Sequence, residues 1–312
     1  MNDNLLSLIN ENFMKQAEAN ISNIHISLKQ KCNIGAETND ISRMLSVLPF
    51  AGLFTSKKNI GLGLNSQNVI EFKNNQFNYV ANLYGISLTT DDETVLLFLN
   101  ELAIKNKNKT FTTNLLNIVI GSFFVNCGNN FIRAKNSLDA LSIAVIDVYF
   151  SVLIKNKKTS KGFKGHIIES YQYENIELKS GYITITLGEK YYQSLTDKEN
   201  PIRLLNRRSR AKCKSSDQKN AYTILATWKY QKLGIDNLMN IIKTKQRRVD
   251  FLKRCLNPIL GIASKDRKQE LYLDKDHKNI IFLQTIPEKS TSETHLKHER
   301  NAQNPRVFCT KP

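Results

Sequence analysis

Cysteine, proline and glycine are scarce in this sequence. Its five cysteines (Cys32, Cys127, Cys213, Cys255 and Cys309) are scattered over 312 residues. An odd number, with no Cys-x-x-Cys pair and no Cys/His spacing of the zinc type, excludes a disulfide framework and a structural zinc module. The thiols are expected to be reduced. Thirteen glycines and six prolines exclude collagen-like or linker-like character. Long apolar runs are missing too: the longest near-apolar stretch, residues 45–54, is broken by Ser46 and Pro49 and is far too short to span a bilayer. The first residues lack the charged-then-apolar pattern of a secretory signal. A soluble cytoplasmic protein without a membrane partner is therefore expected. No phosphate-binding glycine loop is present, and no cofactor is expected.

Acid is scarce in one part of the chain. Residues 1–100 hold 7 basic and 9 acidic residues, whereas residues 101–312 hold 38 basic and 19 acidic ones, within a net charge of +17. Such a field attracts polyanions over long range. Nucleic acid, an anionic membrane surface or a merely solvated lysine-rich face would each accommodate it. With 41% hydrophobic and 9% aromatic residues, the chain can bury a true core.

Residues 1–45 are polar with scattered apolar positions and suggest an arm, helical in part. The first strong signal is Thr90-Asp91-Asp92-Glu93, which has the form of a capping box. Val95, Phe98, Leu99 and Leu102 follow at helical spacing. A short helix is predicted over 113–120 with Gly121 as its stop, then a turn over 126–130. A third helix has Phe131, Ala134, Leu138, Leu141 and Val145 on one stripe, with Ala140 and Ile143 facing outward. This is the order of a helix-turn-helix unit. Alternation in 148–154, a lysine-rich loop (Lys155, Lys157, Lys158, Lys161, Lys164) and further alternation to Leu187 predict a β-hairpin with a basic tip, a wing.

The order then recurs. Residues 218–232 form a helical pattern, Asp236 can cap a short helix to Ile242, and a turn at 243–245 precedes a long helix to about Ile259. A hairpin is predicted over 271–286, turning at 274–278. The predicted fold is therefore α+β with two tandem winged-helix domains, 46–198 and 199–286, between the arm (1–45) and a polar tail (287–312). Two matches to one order support each other.

On a wheel of about 100° per residue, Val249, Phe251, Leu252, Cys255, Leu256 and Ile259 fall on one side of the long helix. Arg247, Asp250, Lys253 and Arg254 fall on the other. Arginine can grip guanine O6 and N7 or clamp a phosphate, and aspartate can accept from cytosine N4. An ordinary amphipathic helix has the same pattern; its place as the third helix of the unit favours DNA. The candidate DNA-contacting residues are Arg133, Lys135 and Asn136 on the first unit's third helix, and Lys157, Lys158 and Lys161 on its wing. In the second unit they are Lys245, Arg247, Asp250, Lys253 and Arg254, with Lys275 and Lys278 in its hairpin turn. Arg207, Arg208 and Arg210 belong to an acid-free basic cluster, with Arg203, Lys212 and Lys214, that is either a phosphate contact or a solubilising charge run. The second domain is expected to carry more of the base readout.

Several ordered blocks resemble a known family. These are Leu48-Pro49 with Leu53-Phe54, Tyr84-Gly85 through Asp91-Asp92-Glu93-Thr94-Val95, and residues 99–103. Phe111 with Leu115-Leu116, the helix from Leu138 to Leu141, and Phe251-Leu252-Lys253-Arg254 with Leu256-Asn257-Pro258 complete the set. Together they resemble plasmid replication initiators of the TrfA type and, more broadly, iteron-binding Rep proteins. The resemblance implies binding to repeated double-stranded sites at a plasmid origin, melting of adjacent AT-rich DNA, and contact with the host replicative helicase and initiator. It also implies exchange between homodimer and monomer. Gln67-Asn68-Val69-Ile70-Glu71-Phe72 loosely resembles a sliding-clamp-binding peptide; a β-strand is the simpler reading.

Two other classes share part of this pattern. A winged-helix transcriptional regulator or partition protein would have the same fold and differ in its target site. A nickase or primase would need metal-binding histidines. Only His295 and His298 are close together, in the tail, and Tyr191-Tyr192 has no metal partner in sequence. Asp91, Asp92 and Glu93 are better explained as helix-start acids than as magnesium ligands. No catalytic residue or metal site is expected.

Overall fold

In a computed structural model, the described residues are 41–283 apart from 46, 51, 56–69, 74–76, 125–126, 155–156, 175–180, 198–199, 201 and 229–230. The arm up to residue 40, the tail, His295 and His298, Cys32 and Cys309, and the first three residues of the clamp-like peptide lie outside them. The fold is mixed α/β. In chain order the elements are β1 (Ile41–Leu45), α1 (Val47–Phe50), β2 (Phe54–Thr55), β3 (Ile70–Lys73), β4 (Phe77–Tyr84), β5 (Leu88–Thr89), α2 (Thr90–Asn106), β6 (Thr110–Asn114), α3 (Leu115–Gly121) and α4 (Gly128–Ile143). Then come β7 (Val145–Ile154), β8 (Lys157–His166), β9 (Ile168–Glu174), β10 (Tyr182–Leu187), α5 (Glu189–Thr196), β11 (Ile202–Asn206), α6 (Arg207–Ala211) and α7 (Ser216–Thr227). The last are β12 (Lys232–Gly234), α8 (Ile235–Ile242), a long composite helix α9, β13 (Leu271–Leu273) and β14 (Asn279–Phe282). Helix α9 runs through Arg248–Asp250, a π-helical Phe251–Leu256 and Asn257–Arg267.

One order of elements occurs twice. In the first unit it is α2, β6, α3, α4, β9, β10; in the second, α7, β12, α8, α9, β13, β14. The sheets agree in topology as well: β6-β10-β9 and β12-β14-β13, so the last strand lies in the middle each time. All these pairings are antiparallel. The repeat predicted from periodicity is thus present in the backbone.

The first unit carries an insertion that sequence patterning does not separate from it. Strands β7 and β8 form a hairpin in register from Val145–His166 to Ile154–Lys157, inside a four-stranded sheet β3-β4-β7-β8. Of the lysine-rich stretch predicted as a loop, Lys157, Lys158, Lys161 and Lys164 lie in strand β8, and Lys155 lies outside the described residues. The hairpin of the three-stranded sheet is β9–β10, so the basic hairpin tip predicted for the first unit is not part of that sheet. The difference has a physical origin: lysine and glycine are poor strand formers, but pairing along the whole length of β7 overrides that preference. Residues 41–45, predicted as part of the arm, form β1 and pair antiparallel with β11. Met44 and Leu45 of this strand are buried.

Helix starts also differ from the prediction. The N-cap of α2 is Thr89, whose hydroxyl faces the Asp92 amide while the Asp92 carboxylate takes the Thr89 amide at 2.6 Å. The capping box is therefore Thr89/Asp92, one residue earlier than predicted. Glu93 is thereby free to turn inward. Helix α3 is capped by Asn114, whose side chain accepts from the Asn117 amide at 2.7 Å. Gly121, predicted as a stop, is needed for packing: a Cβ there would lie 2.1 Å from the Phe98 ring. Asp236 does not cap α8, whose N-cap is Gly234. On α4, Ile143 is exposed as predicted, but Ala140 is buried.

Candidate nucleic-acid interface

The second unit's third helix, α9, is shaped by Pro258. Proline has no N–H to give to the carbonyl four residues earlier, which here belongs to Arg254. The Asn257 amide reaches back five residues to the Leu252 carbonyl, a π turn. The Arg254 carbonyl is taken instead by the side-chain amide of Gln218, which donates at 2.8 Å. The slower winding of the π turn brings Phe251, Cys255, Leu256 and Ile259 onto one buried face. It leaves Val249, predicted inward, 75% exposed on the opposite side. Val249, Lys253, Asn257 and Gly261 then form an exposed row with a spacing of four.

Helix α9 is fixed at both ends by residues that sequence patterning does not single out. The Asp217 carboxylate accepts from the Thr244 hydroxyl at 2.6 Å and the Gln246 amide at 2.5 Å, which sets the turn before the helix. Arg248 donates to Asp236 at 3.1 Å and to the His277 carbonyl at 2.9 Å, so it ties the helix start to α8 and to the β13–β14 turn. At the far end, Asp266 accepts from Tyr222 (2.6 Å), Asn206 (3.1 Å) and Ser209 (3.1 Å). Arg267 donates to the Leu225 and Ala226 carbonyls that end α7. These partners lie between 12 and 60 positions apart in sequence. Polar pairs at such separations give no periodic signal; of these residues only Asp236 stands out in the sequence, and there as a predicted helix cap.

The outward face bears the predicted cations. Arg247 and Arg254 are 89% and 78% exposed, and both face Asp250, at 3.1 Å and 3.9 Å. Exposed pairs of this kind contribute about 0–1 kcal/mol, so the guanidiniums can exchange Asp250 for a stronger acceptor. Lys253 and Lys245 are exposed beside them. Lys275 and Lys278 project from the β13–β14 turn. That turn is held by Asp274, which accepts from the Lys278 and Asn279 amides; these bonds, with the Asn279 side chain as the largest influence, keep its carboxyl below the ordinary range.

The corresponding helix of the first unit differs. Arg133 forms a two-pronged pair with Asp91 (2.7–3.1 Å), donates to Asn130 and lies 4.9 Å from the centre of the Phe124 ring. Its guanidinium is committed to the body of the domain. Lys135 is exposed, 5.9 Å from the centre of the Tyr173 ring, and Asn136 is exposed. Lys157 and Lys158 lie in β8, away from the three-stranded sheet. Lys161, in the same strand, pairs with Asp197 at 3.0 Å.

The basic cluster at 203–214 is divided by burial. Arg207 and Arg210 are 3% and 2% exposed and cannot lie against phosphates. Arg207 pairs with Glu101 and donates to the Gly121 carbonyl. Arg210 pairs with Glu93 at 2.5 Å and donates to the hydroxyls of Thr223 and Thr94. Both arginines come from α6, at the entry to the second unit, and both acids come from α2 of the first. The two arginines are a seam between the units, which corrects their assignment as DNA contacts. A buried charge needs a partner, and Glu93 and Glu101 are too distant in sequence to be recognised as those partners. Arg208, Lys212 and Lys214 remain exposed.

The three acids at the start of α2 have separate partners: Asp91 holds Arg133, Asp92 caps the helix, and Glu93 holds Arg210. Burial is the main cause that raises the Asp92 carboxyl above its usual range. Tyr191 is fully buried and donates to Asn100 at 3.0 Å. No group of three or more His, Cys, Asp or Glu among the described residues could hold a metal. No helix among them is long and apolar enough to cross a membrane.

No protein-family model and no curated protein matches the chain. Among solved structures, the chain is similar to domains 2 and 3 of RctB, with a TM-score of 0.49 and 10% identity over 68% of this chain and 83% of that one. A second crystal structure of the same RctB domains gives 0.43 and 11%, over 69% and 85%. The Pi initiator protein in complex with iteron DNA gives 0.45 and 12%, over 79% and 97%.

Proposed function

We propose that the chain is a replication initiator that binds double-stranded DNA in a sequence-specific way, through two tandem winged-helix domains. The observation that carries this reading is the exposed face of α9: Arg247, Lys253 and Arg254 stand outward from a helix anchored at both ends, beside Lys275 and Lys278 of the adjacent hairpin. A helix with this diameter fits the major groove, and lysines on a flanking hairpin suit phosphates. The protein then acts through binding energy, without a cofactor or a covalent step. Cations displace counterions, the third helices read base edges, and loading on repeated sites of a plasmid origin strains the neighbouring AT-rich duplex. Recruitment of the host helicase and initiator, and exchange between dimer and monomer, follow from the family resemblance.

Footprinting on the DNA molecule that carries the gene, at physiological salt, tests the proposal. Periodic protection over direct repeats with distortion in a neighbouring AT-rich stretch is expected. A single protected palindrome would point to a transcriptional regulator, and sequence-independent coating would remove the base-reading role of α9.

A further inference from the structure

The outward stripe of α4 has a chemistry unlike that of α9. At helical spacing it presents Asn129, Ile132 and Asn136. Both asparagines are exposed, and Ile132 is 57% exposed. The arginine on the margin of this stripe, Arg133, is turned back onto Asp91, Asn130 and Phe124, and Lys135 leans on Tyr173 at the flank. The stripe itself therefore offers two amides and, with the exposed Ile143 further along, two branched apolar side chains; its one acid, Asp139, is half-buried and accepts from the Tyr171 hydroxyl. The exposed face of α9 also holds a branched apolar side chain and an amide, Val249 and Asn257, but adds the outward cations Arg247, Lys253 and Arg254, which the α4 stripe lacks.

Base edges in the major groove discriminate between these two chemistries. An asparagine amide gives and takes one hydrogen bond each and fits adenine N6 and N7. An apolar side chain fits the thymine methyl, which guanine and cytosine lack. The usual partner of guanine is arginine or lysine. From this contrast we infer that α4 reads a segment made of A·T pairs, with Asn129 and Asn136 on adenines and Ile132 on a thymine methyl, and that any guanine in the site lies under α9. The inference rests on the DNA-binding reading above and adds the base composition of each half of the site.

The test uses the full-length protein. Duplexes selected from a random pool at fixed salt give the base preference of the wild type and of the Ile132→Ser, Asn136→Ala and Arg254→Ala variants. The positions whose preference changes in the first two variants are those under α4. The expected result is that these positions are A·T only and that Asn136→Ala lowers discrimination at one adenine by roughly five- to a hundred-fold. Replacing a single thymine there by uracil, which removes the methyl group alone, should weaken the wild type by several-fold and Ile132→Ser hardly at all. Preferences under α9 should persist in both α4 variants, which shows that they are folded. A G·C pair required under α4 would overturn the inference while leaving DNA binding intact. So would unchanged preferences in both α4 variants, including the case in which Ile132→Ser alters only self-association. No base preference in the wild type would overturn the DNA-reading proposal itself, and this inference with it.

Discussion

Removing the carboxylate of Glu93 should destabilise the protein more than removing both members of its ion pair. Glu93 and Arg210 are 1% and 2% exposed. In Glu93→Ala the guanidinium stays buried with only neutral acceptors, the hydroxyls of Thr94 and Thr223 and the Thr90 carbonyl. Breaking a buried pair in this way costs about 3–5 kcal/mol. In the Glu93→Leu/Arg210→Met double variant no charge is left behind. The two hydroxyls keep their own bonds, Thr94 to the Thr90 carbonyl at 2.7 Å and Thr223 to the Lys219 carbonyl at 3.0 Å. Replacement by apolar groups of similar size is often close to neutral, so the double variant should lose less than half as much as the single one. Urea denaturation followed by circular dichroism gives both values, provided the slope with denaturant is unchanged. A loss below about 1 kcal/mol in Glu93→Ala, or a double variant less stable than the single, would refute the reasoning and return Arg210 to the surface.

Other consequences are open to direct measurement. Gly121→Ala places a methyl against the Phe98 ring and should cost about 1–3 kcal/mol in the same assay; no loss would mean that the α2–α3 packing is wrong. Lys275→Ala with Lys278→Ala should reduce the slope of log affinity against log salt by about two at most, roughly 0.9 for each phosphate that is no longer neutralised, and an unchanged slope would place both lysines away from the backbone. Cys127 is exposed whereas Cys213 and Cys255 are buried, and burial pushes Cys213 up to about 11 and Cys255 further. A maleimide at neutral pH, with peptide mass spectrometry, should label Cys127 quickly and the other two only after unfolding; rapid labelling of Cys255 in the native state would contradict the packing of α9.

What the sequence discloses and what it conceals have different physical causes. The helices of both units are legible because Phe98, Leu99 and Leu102 in the first, or Phe251, Cys255 and Ile259 in the second, recur with the helical period and are indeed buried. The repeat is legible for the same reason. The outward cations of α9 are legible because a single helix carries both its faces in one short stretch. Relations between distant segments are not. Nothing local to Arg207 and Arg210 distinguishes them from Arg208 beside them; Glu93 and Glu101, more than a hundred positions earlier, decide that they are buried. The lysine-rich strand β8 is hidden because its partner β7 supplies the pairing that its own composition does not. Val249 is misplaced because a wheel of constant pitch cannot anticipate the π turn that Pro258 and Gln218 impose together.

The proposal that α9 reads base edges in the major groove is tested most directly at Arg254, whose exposed guanidinium is of the type that fits guanine. Dimethyl sulfate reacts with guanine N7, which lies in that groove, so protection can be compared between the wild type and Arg254→Ala on the same bound duplex. The account predicts at least one guanine in each site that is protected by the wild type and reactive with the variant, while the rest of the footprint persists. Identical guanine protection by both proteins would contradict it.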